Sequence, residues 1–148
     1  MKKLLAALSV GLVVVVAATL VITNPFGAGA GSTQQTKLVA ELTSTNIDPL
    51  ASGKTKWEER FVDAQLERRR TSTEVEDLST TGDHEVRVTR GTTVIQTMTV
   101  SVDALGFGDL NLDSRLGDTV EVFQTGDQVE VRNPSGDVIL TGTLQLKQ

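Results

Sequence analysis

The stretch Asp109-Leu110-Asn111-Leu112-Asp113 places side-chain oxygens at alternate positions, as the start of a calcium loop does. Calcium takes six to eight oxygens, and the EF-hand version of such a loop needs glycine at its sixth position and glutamate at its twelfth. Here the sixth is Ser114 and the twelfth Val120, so that version is excluded. Asp109, Asn111, Asp113 and Asp118 remain calcium candidates only if acidic turns, Asp127 included, converge on one edge of a β structure. The simpler reading is a strand with Leu110 and Leu112 facing in and Asp109, Asn111 and Asp113 facing water.

Other reactive types are sparse. The chain has one histidine, His84, and no cysteine, which excludes multi-histidine and thiolate metal centres, disulfides, a cysteine nucleophile and a lipidated cysteine. His84 lies in Gly82-Asp83-His84-Glu85 and reads as a solvated residue just after a turn. No Gly-x-Ser-x-Gly elbow is present, so a serine hydrolase lacks its nucleophile. A small hydrolase would need a cleft shared by Glu74, Glu76 and His84. Glycosidase carboxylates need a sugar-stacking surface, and one Trp with no Tyr supplies little of it. Arg68-Arg69-Arg70 is the one basic cluster; its expected role is cross-strand pairing with Glu58-Glu59, with a polyanion site as the sharper alternative. No catalytic residue and no cofactor other than calcium is expected.

The elements that must carry these residues are strands. Apolar residues recur at period two: Leu38, Ala40 and Leu42; Val86 and Val88; Met98, Val100 and Val102, with Val94 in step; Leu110 and Leu112; Val120 and Val122; Val129 and Val131; and Leu140, Leu144 and Leu146. Turn signals at Thr81-Gly82-Asp83, Arg90-Gly91, Leu116-Gly117-Asp118, Thr125-Gly126-Asp127 and Asn133 to Asp137 fall too close together for helical crossovers. The pattern predicts an all-β domain, a single antiparallel β-sandwich of eight or nine short strands. A hairpin is expected from Lys54–Phe61 and Arg68–Glu76 around Asp63-Ala64, with Trp57 and Phe61 as the largest core residues. Glu74-Val75 with Thr81-Gly82-Asp83 is echoed by Glu121-Val122 with Thr125-Gly126-Asp127, a match too short to be a duplication.

Ahead of that domain, Lys2 and Lys3 are followed by an uncharged, largely apolar run from Leu4 to Ile22, then Pro25 and small residues. Residues 1–30 therefore read as a secretory signal cut after Ala30, or as an uncleaved membrane anchor spanning 4–22, because the run is long for a signal and reaches roughly the 20 residues a bilayer needs. Either fate places the rest outside the cytoplasm. Residues 31–36 read as a flexible tether and 37–148 as the folded domain. Two of the 14 Lys and Arg lie in the leader, leaving 12 against 19 acids, which disfavours a nucleic-acid partner.

Leu38-Val-Ala-Glu-Leu-Thr-Ser, then Asp48-Pro49-Leu50-Ala51-Ser52-Gly53 to Trp57, Thr73-Glu-Val-Glu-Asp-Leu78 and Val86-Arg-Val88, resembles the opening of CHRD domains, all-β modules of chordin and exported bacterial proteins. The resemblance covers the first half of the domain and departs at Gly82-Asp-His-Glu-Val86, where the family has an Ala-His-Ile-His-like stretch. It implies a β fold and exposure outside the cell, and no activity. The resulting expectation is a non-enzymatic extracytoplasmic interaction or structural module with a protein or surface-polymer partner, and a calcium- or ligand-binding sandwich is the alternative.

Overall fold

A computed structural model describes residues 31–147, so the apolar segment 4–22 and the signal or anchor assigned to 1–30 lie outside the described residues. Nine strands follow in order: β1 Thr33–Ser44, β2 Ser52–Val62, β3 Gln65–Glu76, β4 Gly82–Arg90, β5 Thr93–Val102, β6 Gly108–Asp113, β7 Gln128–Arg132, β8 Val138–Thr143 and β9 Gln145–Leu146. A 3-10 turn, Ser114–Leu116, follows β6. Among the described residues no helix is long and apolar enough to cross a membrane.

The all-β reading holds, but the expected sandwich is corrected to a closed antiparallel barrel. The strands pair in the order β2-β3-β6-β5-β4-β7-β8-β1, and β1 returns to β2 from Thr33↔Val62 to Thr43↔Ser52, so the sheet closes on itself. Alternating burial is the same in both architectures, because either buries one face of each strand. Closure is decided by which strands pair. β1 meets β2 on one edge and β8 and β9 on the other.

The expected β2–β3 hairpin is present. Asp63 and Ala64 both take positive φ (50° and 63°), as a two-residue turn matching strand twist requires. Asp63 also fastens the chain start, its N–H donating to the Ser32 carbonyl at 2.9 Å and its carboxylate accepting from the Ser32 N–H at 3.0 Å. β1 therefore begins at Thr33, and residues 33–36, assigned above to a tether, are paired strand.

The interior is filled by Leu38, Ala40, Leu42, Trp57, Val75, Val86, Val88, Met98, Val100, Val129, Val131 and Leu140. Phe61 keeps its step with Trp57 along β2 but is only half-buried; it sits at the turn end of the hairpin, opposite Gln34 and Leu66, where Glu67 of β3 is left without a partner on β2. The aromatic partner of Trp57 is Phe123, with ring centroids 6.0 Å apart. Val94, at the β5 start, and Leu146 are likewise exposed despite being in step with buried residues.

One seam of the barrel is weak. β5 and β6 share a single pair, Val102↔Gly108. The opening is covered by residues 117–124, which form no strand, contrary to the alternation of Val120 and Val122. Val120 and Phe123 point into the core while Val122 stays exposed. Side chains replace a ladder here: the Gln96 amide donates to Thr119 O at 2.8 Å and accepts from Glu121 N at 3.0 Å, and Trp57 Nε1 donates to Glu121 O at 3.0 Å. The two Thr-Gly-Asp segments accordingly serve unlike places, Thr81-Gly82-Asp83 opening β4 and Thr125-Gly126-Asp127 ending the seam cover.

Candidate functional site

The calcium candidates sit on the outer wall. In β6, Asp109, Asn111 and Asp113 stand opposite Glu74, Ser72 and Arg70 of β3. Arg68 grips the Asp113 carboxylate through both Nε and Nη2, with Nε at 3.0 and 3.1 Å from its two oxygens. Asp113 also accepts from the Arg115 N–H at 3.1 Å, and Asp118 accepts from the Asp113 N–H at 2.8 Å. Asn111 donates to Asp109 at 2.6 Å and accepts from Arg70 at 3.3 Å. The four candidates are thus neighbours, and each has at least one side-chain oxygen engaged by a protein donor. Among the described residues no group of three His, Cys, Asp or Glu is placed to hold a metal ion.

The Arg68–Asp113 hydrogen bonds, aided by the Arg115 N–H, hold the Asp113 carboxyl below the usual carboxylate range and raise Arg68. A carboxyl lowered on folding adds stability above its unfolded value near pH 4 and loses it as pH falls through the lower folded value. Asp113→Asn is expected to reduce stability at neutral pH and flatten its fall below about pH 4, as denaturant titrations across pH can test. An unchanged acid limb would show that Arg68 contributes nothing there.

The arginine cluster divides its work. Arg69 pairs with Glu59 at 2.6 Å, as the hairpin register predicts, while Arg68 turns to β6 and Glu58 instead faces Lys37 at 3.7 Å. A shallow groove of about 260 Å³ opens beside it between Lys37, Lys56, Arg70 and Lys147, with Ser72 on its floor. Lys37 and Lys56 are paired with Glu58 and Glu74.

His84 overturns its reading as a solvated turn residue: it is completely buried. Its Nδ1 lies 3.0 Å from Gly82 O and its Nε2 2.9 Å from Thr80 Oγ1. It continues the inward face of Val86 and Val88, so the period-two burial of β4 starts at His84 and not at Val86. Glu74 and Glu76 are exposed, Glu74 bound to Lys56 at 3.1 Å, so the hydrolase trio is not brought together.

A feature missed from the sequence lies at the barrel end where β1, β3, β5 and β7 finish. Loops 45–51, 77–81 and 103–107 meet there. The buried Asp48 carboxylate accepts from Ser79 N at 2.8 Å and Ser79 Oγ at 3.0 Å, joining the first two loops. Leu78 is buried and donates its N–H to Gly106 O at 3.1 Å, joining the second to the third. Gly106 has φ +83°, and a Cβ there would lie 2.6 Å from Leu78 O, so this close approach requires glycine. Asp103 accepts from the Leu105 and Phe107 N–H groups at 2.8 and 3.0 Å, shaping the third loop.

These tied loops expose Ile47 (57%), Leu50 (79%), Leu105 (77%) and Phe107 (46%) on either side of strap 77–81. The opposite end also carries exposed apolar side chains, Leu66, Val94, Leu116 and Val122, but among ion pairs such as Arg60–Glu67 and Arg90–Asp127. Residues 45–51, 76–83, 102–108 and 133–137 contain no Lys or Arg and include exposed Glu76, Asp77, Asp83, Asp103 and Asp137. Arg132, just outside, pairs with Glu130 and donates to Gly136 O.

No protein-family profile matches this chain, and no curated protein matches it.

Proposed function

We propose that this protein is an exported, non-enzymatic interaction module that docks a partner on the loop end of its barrel. The observation that carries the reading is the set of four exposed apolar side chains, Ile47, Leu50, Leu105 and Phe107, on loops fastened to one another by buried contacts. Clustered apolar exposure rimmed by polar groups marks interaction surfaces, and loops already ordered lose little entropy on binding. The charged-then-apolar order of residues 1–30 and the resemblance to CHRD domains support a location outside the cytoplasm. The chain enters the barrel beside Asp63, at the opposite end from these loops, so an anchored form would carry its docking surface away from the membrane.

Photo-cross-linking residues placed at Leu50 and Leu105 of the full chain in its own cells test this, with Val94 and Leu116 as controls. A discrete adduct is expected from the loop-end positions only, abolished by Ile47→Ser with Phe107→Ser. Equal adducts from both ends, or none from Leu50 and Leu105, would overturn the reading.

A further inference from the structure

Resting on that docking end, we infer that the segment it receives is a cationic, apolar stretch of a protein partner. The four tips supply apolar contact, and every exposed charge within the surrounding segments is negative: Glu76, Asp77, Asp83, Asp103 and Asp137. Lysines or arginines beside an apolar stripe meet attraction from the 76–83, 102–108 and 133–137 segments, and like-charge pairing would exclude anionic stripes.

The same charges argue against two other occupants. A second copy docking by this end would bring its own acids against these, and an anionic bilayer would be repelled before its apolar layer was reached. The rim acids differ in how they are held. Asp83 accepts from Ser101 Oγ at 2.8 Å and Asp137 from Asn133 Nδ2 at 3.3 Å, which fixes their positions without neutralising them. Glu76 and Asp77 are both exposed and stand where β3 passes into the strap that runs between the two apolar pairs. Asp77 already holds positive φ (58°), a conformation that asparagine also tolerates.

Two short amphipathic peptides test this, sharing one leucine face and differing only in lysine or glutamate on the other. Binding to the full chain is followed by fluorescence anisotropy, and the site is located by hydrogen–deuterium exchange. The lysine peptide is expected to protect 45–51, 77–81 and 103–107 and to bind at least about tenfold tighter than its glutamate twin. Added salt, or Glu76→Gln with Asp77→Asn and Asp137→Asn, should weaken it by about tenfold. These replacements preserve side-chain shape, and an unchanged Tm would verify the fold. Equal binding of both peptides at the loop end would overturn the charge preference while leaving the docking surface standing. Protection elsewhere, or by neither peptide, would overturn the inference, and the cross-linking pattern then decides separately whether the docking surface survives. Phosphatidylcholine vesicles captured through the same loops, with both peptides inert, would reassign the end to a membrane and overturn it as well.

Discussion

Replacing Trp57 by alanine is expected to lower stability by about 3–5 kcal/mol, the range for removing a large buried aromatic. Trp57 is 2% exposed, stacks on Phe123 and donates its indole N–H to Glu121 O. It therefore supports both the interior and the cover over the β5–β6 seam, and its loss empties one and loosens the other. Trp57→Phe keeps ring contact but leaves the Glu121 carbonyl without its donor; Glu121 is exposed, so water can replace the indole and the cost should be about 1–2 kcal/mol. Urea unfolding followed by circular dichroism measures both, since the sole tryptophan is removed with its fluorescence. Equal losses for the two variants would mean that the hydrogen bond, not the packing, holds the cover.

The next largest effect is expected at Arg90 and Asp127. Asp127 is buried, accepts from Arg90 Nε and Nη2 at 2.9 Å each, and accepts from Gln124 N at 2.8 Å. Arg90 also donates to Val122 O at 3.1 Å, so the pair ties the β4 end to the seam cover. Arg90→Met leaves a buried carboxylate with one backbone donor. Breaking a buried pair costs 3–5 kcal/mol, and because the Arg90 side chain is 40% exposed the expected loss is discounted to about 2–3 kcal/mol. Arg90→Lys should recover little, because an ammonium cannot make the two parallel bonds. A double-mutant cycle with Asp127→Asn should give a coupling of about 1–2 kcal/mol, and a coupling near zero would show that each side chain acts alone.

Local chemistry was legible where neighbours in sequence are neighbours in space. The β2–β3 hairpin followed from alternation on both sides of Asp63-Ala64, and the Arg69–Glu59 pair followed from its register. Barrel closure was not legible, since no local pattern says that β1 pairs with β2 along one edge and β8 along the other. Residues 119–123 carry strand-like alternation, yet Gln96 and Trp57 hold their backbone as coil, a tertiary contact overriding propensity. His84 was misplaced because the Gly82-Asp83 turn outweighed the face it shares with Val86. The docking end was invisible for a similar reason: Ile47 and Leu50 lie far along the chain from Leu105 and Phe107, and only the Asp48 and Leu78 contacts bring their loops together.

The pairing of β1 with the last strands also sets an order of events for a chain emerging from a ribosome or a translocation pore. β1 can zip to β2 early, but its second edge waits for Leu140, Thr141, Gln145 and Leu146. Until those residues emerge, the nascent chain presents a curled sheet with an open flank, a template for unwanted pairing with other chains. Barrel closure therefore waits on contacts between elements far apart in sequence, the kind that form slowly, and the flank stays open until β8 and β9 reach β1.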